Sequence, residues 1–123
     1  MSRQALILVV EDNLSNQLLT SSVLELEGYS VELAGSSVEA LERVALRRPD
    51  LILMDVQLPG MDGLSLTKIL KATRETAVIP IVALTANAMN GDGERALKAG
   101  CVGYISKPFD TRTLGDKVRG FLR

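Results

Sequence analysis

Apolar residues fall into two kinds of pattern that alternate along the chain. Three runs, Ala5 to Val10, Leu51 to Met54 and Ile81 to Leu84, are unbroken rather than apolar at every second position. A short uninterrupted run of this kind suits a strand covered by helices on both faces. Two weaker runs, Tyr29 to Leu33 and Val102 to Ile105, fit the same role. Between them apolar positions recur at helical spacing: Leu19, Val23 and Leu26; Val38, Leu41 and Val44; Leu66, Ile69 and Leu70; Leu114, Val118, Phe121 and Leu122. Each of these four sets predicts a helix with one buried stripe, a further helix is expected to open at Asn90-Gly91-Asp92-Gly93, and the predicted order is strand then helix, repeated five times.

The punctuation agrees. Asn13 is placed to cap the first helix and Gly28 to end it, Ser36 and Glu39 have capping-box spacing, Pro49 closes the second helix, and Gly100 follows the fourth. No stretch has the composition of a linker, so one domain over residues 1–123 is expected. Parallel strands need right-handed crossovers, and five such units make an open, doubly wound α/β sheet. Ligands of such sheets sit beyond the carboxyl ends of the strands, where the strand order reverses.

Charge and composition narrow the function. Lys plus Arg number 14 against 15 Asp plus Glu, and aromatic residues are 3% of the chain. There is no basic excess to hold a nucleic-acid backbone and almost nothing for bases to stack on, so direct nucleic-acid binding is not expected. The first apolar run is far below the roughly 20 residues of a membrane span and ends in two carboxylates, so a cytoplasmic protein without a membrane segment is expected. The single cysteine, Cys101, has no internal partner for a disulfide and is expected to be a small buried hydrophobe. The chain has no histidine, which removes His-based metal sites and the Ser/His and Cys/His nucleophile pairs.

Past the strands stand Glu11 and Asp12 after the first, Asp55 after the third, Thr85 after the fourth, and Lys107 with Pro108 after the fifth. The fold should gather them at one edge. Two carboxylates ~4 Å apart repel by on the order of 4 kcal/mol at an effective dielectric near 20, so a cation must offset three of them. With only oxygen ligands at hand, Mg²⁺ is the natural candidate, and Lys107 would add the remaining positive charge. A carboxylate can attack phosphorus to give an acyl phosphate, a reaction that needs mainly positioning and neutralised oxygens. Asp55 stands alone on the central strand and is expected to be the nucleophile, while Glu11 and Asp12 are paired to hold metal.

The segments Val10-Glu11-Asp12-Asn13, Leu53-Met54-Asp55-Val56-Gln57-Leu58-Pro59, Met61-Asp62-Gly63, Leu84-Thr85-Ala86 and Tyr104-Ile105-Ser106-Lys107-Pro108-Phe109 resemble the receiver domains of two-component response regulators, over essentially the whole chain. The resemblance implies a flavodoxin-like five-stranded parallel sheet of order 2-1-3-4-5. It implies that Asp12 and Asp55 ligate Mg²⁺ directly and Glu11 through water, with the Gln57 carbonyl completing the protein ligands. Asp55 would accept the phosphoryl group, Lys107 would bind a phosphoryl oxygen, Thr85 would bring its hydroxyl onto the phosphoryl group, and Tyr104 would turn inward as Thr85 moves. The bond between Lys107 and Pro108 is cis in similar proteins. The donor would be a histidine kinase or histidine phosphotransferase, and a downstream protein would be met by the fourth helix, fifth strand and fifth helix. Monomer or weak dimer is expected. A single-domain regulator in the manner of the chemotaxis and DivK-like receivers is expected, and the sequence also resembles the receivers of hybrid kinases.

Gln57 and Asn87 occupy positions that flank the path of hydrolytic water in similar proteins; neither is a carboxylate base, so slow hydrolysis of the phosphorylated state is expected. Gly93 and Gly115 stand inside the last two helices, each costing roughly 1 kcal/mol against alanine, which suggests either a face ordered only by phosphorylation or a partner, or tolerated surface glycine. The rival readings are weaker. A haloacid-dehalogenase-type phosphatase needs a second Asp where Gln57 stands, and a flavodoxin would set its cofactor's phosphate against Glu11 and Asp12. A signalling protein that assists its own phosphorylation and dephosphorylation is therefore expected rather than an enzyme of turnover, the alternative being a degenerate receiver that binds partners without modification.

Overall fold

Strands and helices alternate strictly in the computed structural model, which describes residues 4–58 and 60–122. Met1 and Pro59, the latter within one of the segments quoted above, lie outside the described residues. The strands are β1 (Leu6–Val10), β2 (Ser30–Ala34), β3 (Leu51–Asp55), β4 (Ile81–Thr85) and β5 (Gly103–Ser106). The helices are α1 (Leu14–Leu26), α2 (Ser37–Leu46), α3 (Gly63–Ala72), α4 (Asp92–Ala99) and α5 (Leu114–Phe121), with a 3₁₀ turn at Ala88–Asn90 before α4. All strand pairs are parallel, and the order is β2-β1-β3-β4-β5, as the resemblance implies.

The unbroken apolar runs follow from this architecture. Every residue of β1, β3 and β4 is buried. Successive side chains of a strand point to opposite faces. Leu8, Val10, Ile52, Met54, Ile81 and Ala83 pack in one cluster with Ala40 and Val44 of α2, Leu66 and Leu70 of α3 and Ala96 of α4. Ile7, Val9, Leu51, Leu53, Val82 and Leu84 pack on the other side with Leu24 of α1 and Leu114 and Val118 of α5. The sequence has to be apolar at every position because there is a core on each face.

The predicted caps are in place. Asn13 Oδ1 accepts from Asn16 N at 2.9 Å and Ser36 Oγ accepts from Glu39 N at 3.1 Å. Glu39 reaches back to the amide of Gly35, one residue earlier than the usual capping box. Gly28 and Gly100 take the left-handed conformation that ends α1 and α4. Cys101 is buried and free.

Helix phase was less well predicted. The stripe expected on α1 was Leu19, Val23 and Leu26, but Leu26 is 88% exposed and Leu19 is half exposed, while Thr20, Ser21 and Leu24 are buried. Leucines lie all round α1, so spacing alone does not fix its inner face, and the hydroxyl of Ser21 is satisfied by donating to Leu18 O at 3.2 Å. Val38 and Ile69 are likewise exposed, and α3 turns Leu66, Thr67 and Leu70 inward. The edge strand β5 alternates buried and exposed residues and begins at Gly103 rather than Val102. Among the described residues no helix is long and apolar enough to cross a membrane.

Candidate functional site

The strand register brings the chemistry to one edge. β1 lies between β2 and β3, so the order reverses there, and Val10 pairs with Met54, Asp55 with Leu84, and Thr85 with Ser106. The residues that follow these pairs open into a common cleft. One ligand oxygen from each of Glu11, Asp12 and Asp55 lies within 4.8 Å of the others. Asp12 is exposed, whereas Glu11 and Asp55 are 2% and 6% exposed.

Glu11 and Asp55 are held in place by their neighbours. Glu11 Oε2 accepts from Asn13 N at 3.2 Å, and Gln17 Nε2 donates to the Glu11 carbonyl at 2.6 Å. Asp55 Oδ1 accepts from Gln57 N at 2.9 Å. The chain then turns back over Asp55: Gly63 N donates to Val56 O at 3.0 Å, and a Cβ at Gly63 would stand 2.3 Å from the Asp55 carbonyl oxygen. The adjoining Asp62 caps α3 by accepting from Ser65 N at 2.8 Å. The pair Asp62-Gly63 thus has a physical reason: one residue starts the helix and the next lets it press on the backbone of Asp55.

The counter-charge comes from the far end of the chain. Lys107 Nζ donates to Asp55 Oδ2 at 2.7 Å and to Glu11 Oε1 at 3.1 Å. The peptide bond from Lys107 to Pro108 is cis, and Lys107 N donates to Thr85 O at 2.8 Å, fixing the end of β5 to the end of β4. Burial raises the Glu11 carboxyl above its ordinary value, helped by the charge of Asp55 and opposed by the Asn13 amide and Lys107. Burial pulls Lys107 down, but its hydrogen bonds to Asp55 and Glu11 outweigh that and leave it raised. Three carboxylates against one ammonium leave an excess of negative charge in a cleft lined with oxygen donors, a fit to a hard divalent cation.

The two expected switch residues are close by but turned elsewhere. Thr85 is buried, accepts from Asn87 N at 3.0 Å, and donates from Oγ1 to Asp92 Oδ2 at 3.2 Å. Tyr104 is 43% exposed on β5. Gln57 is exposed and Asn87 half-buried. Asp92 was not anticipated from sequence. An acid in the first turn of a helix reads as a complement to the helix dipole, and only the fold shows that it is buried and bonded to Thr85.

Similarity to known proteins agrees with this geometry. The family model described as the response regulator receiver domain matches residues 7–119. The polar-differentiation response regulator DivK of Brucella abortus is 42% identical over 116 residues, covering 94% of each chain. Among solved structures, the receiver domain of the sensor histidine kinase PA1611 from Pseudomonas aeruginosa PAO1, with a magnesium ion coordinated in its active-site cleft, superposes with a TM-score of 0.89 at 39% identity, covering 97% of this chain and 98% of that one. The chemotaxis protein CheY4 of Vibrio cholerae superposes with a TM-score of 0.91 at 30% identity, covering 98% and 100%. With its sheet order, its acidic cleft and a matching family model across nearly all its length, the chain belongs to the response regulator receiver family, of the DivK-like type.

Proposed function

We propose that residues 1–123 act as one receiver unit that takes a phosphoryl group on Asp55 from a phosphohistidine of a histidine kinase or histidine phosphotransferase, in a reaction dependent on Mg²⁺. The observation that carries this reading is the carboxylate of Asp55, oriented through both oxygens by Gln57 N and Lys107 Nζ, beside Glu11 and Asp12. Receiver domains as a family belong to two-component phosphorelays, and a solved relative holds magnesium in its cleft.

An Asp55 oxygen attacks phosphorus, the bond from phosphorus to the donor imidazole nitrogen breaks, and that nitrogen keeps the electron pair and takes a proton. The product is an acyl phosphate. Asp55 arrives oriented, so little freedom is lost at the attack. Lys107 stays with the developing negative charge and binds a phosphoryl oxygen. Asp12, Asp55, the Gln57 carbonyl and, through water, Glu11 would hold Mg²⁺, which supplies neutralisation of the phosphoryl oxygens. Thr85 then gives its hydroxyl to the phosphoryl group, Tyr104 moves inward, and the face made by α4, β5 and α5 changes what it binds. Gln57 and Asn87, neither of them a base, leave the acyl phosphate slow to hydrolyse. The protein works in the cytoplasm as a monomer or weak dimer, through protein partners rather than nucleic acid.

Incubation with acetyl phosphate and Mg²⁺, followed by intact mass measurement, tests the reading. A phosphoryl-sized gain is expected for the parent and none for Asp55→Asn. An equal gain in both, or none in the parent, overturns it.

A further inference from the structure

The first turn of α4 touches both residues that the proposed switch moves. Thr85 Oγ1 donates to Asp92 Oδ2 at 3.2 Å, and Asp92, 6% exposed, pairs through Oδ1 with Arg95. One residue further, Gly93 is buried, and a Cβ there would stand 2.7 Å from Cζ and 2.8 Å from Cε2 of Tyr104. The tip of the outward-facing ring therefore rests where any other residue would carry its side chain. This removes the reading of Gly93 as tolerated surface glycine.

We propose that Asp92 is a positioning residue for phosphorylation, holding the Thr85 hydroxyl on α4 in the unmodified protein, and that Gly93 is the seat that keeps Tyr104 outward. The proposal rests on the reading of Thr85 and Tyr104 given above. A hydroxyl has one proton and cannot donate to Asp92 and to a phosphoryl oxygen together. Phosphorylation therefore has to take Thr85 from Asp92, leaving a buried carboxylate with one donor fewer at the start of α4. The first turn of α4 must then readjust at the residue beneath Tyr104. Coupling of this kind is reciprocal: whatever frees Thr85 from Asp92 favours modification, and modification loosens the ring's seat.

The full chain labelled with 3-fluorotyrosine tests this by fluorine NMR. It has two tyrosines, Tyr29 and Tyr104, and Tyr29→Phe assigns the signals. Without any phosphodonor, Gly93→Ala is expected to move the Tyr104 resonance and leave that of Tyr29 in place. Asp92→Ala moves the Tyr104 resonance in the same direction, whereas Asp92→Asn, which keeps an oxygen to accept from Thr85, stays near the parent. With acetyl phosphate and Mg²⁺, Asp92→Ala gains phosphoryl mass about tenfold faster than the parent, the scale of losing a hydrogen bond to a charged group. Asp92→Asn stays within about twofold. Asp92→Ser, too short to reach Thr85, replaces the alanine variant if that does not fold. An unmoved Tyr104 resonance in Gly93→Ala, or no faster modification without Asp92 in a parent that is modified, overturns the proposal. If the parent gains no mass, the phosphoacceptor reading fails by itself, and a Tyr104 resonance unmoved by loss of Asp92 overturns the positioning role separately.

Discussion

The centre of the sheet and its β5 edge are built to opposite specifications. In β1, β3 and β4 every side chain is buried, and both faces are filled with branched apolar residues. In β5 alternate residues are exposed, glycine opens the strand, and the neighbouring α4 and α5 have eight residues each with glycine inside both. The carboxylates stand on the first region and Tyr104 on the second. Close packing fixes atoms to fractions of an ångström, which the attack proposed for Asp55 would need, while a half-exposed strand would let the Tyr104 ring leave its seat on Gly93 once that seat is loosened. Under the proposed function, rigidity and response would fall to different strands of one sheet.

Alanine in place of glycine probes this division directly. At Gly63 the new methyl would meet the Asp55 carbonyl and the backbone of Val56, neither of which can turn aside. A loss of about 3 kcal/mol in urea unfolding is expected. At Gly103 on the edge the obstacle is the Phe121 ring, 2.5 Å from the built Cβ, near the end of α5. A ring can shift, so about 1–2 kcal/mol is expected, and a cost equal to that at Gly63 would break the comparison.

Glu11 supplies a smaller effect with the opposite sign. Its folded value lies above the ordinary 4.5, chiefly through burial. Stability carried by such a group is fully present below the unfolded value and is lost as pH rises through the folded one. Without Mg²⁺, Glu11→Gln should therefore outlast the parent in urea at neutral pH, with the gap closing as the solution is made acid. A gap that widens in acid contradicts the assignment. Leu26→Ser, at a leucine 88% exposed, should change stability by no more than about 0.5 kcal/mol.

Most of the placement of the candidate site residues was legible because the fold that carries them is written in short-range signals. Unbroken apolar runs located β1, β3 and β4 to within a residue, and the polar residue after each had to reach the common edge once the strands were parallel. Less was legible where two surfaces compete. Leucine all round α1 left its phase open, and the structure chose Thr20, Ser21 and Leu24 for the inside. Gly93 and Gly115 read as weak helix formers. In the fold each is a place of close approach, Gly93 to the ring of Tyr104 and Gly115 to the side chain of Glu27. Asp92 could not be found by motif, since its role comes from a contact with Thr85 across the turn between β4 and α4.

The ammonium of Lys107 bridges Glu11, 96 positions earlier, and Asp55, 52 positions earlier. A nascent chain therefore displays its acids long before their lysine has been synthesised, and an N-terminal fragment ending before β5 carries Asp55 without the ammonium that holds it. If Asp55 accepts a phosphoryl group as proposed, competence to receive it should appear only when the last strand docks, making modification a readout of completed folding.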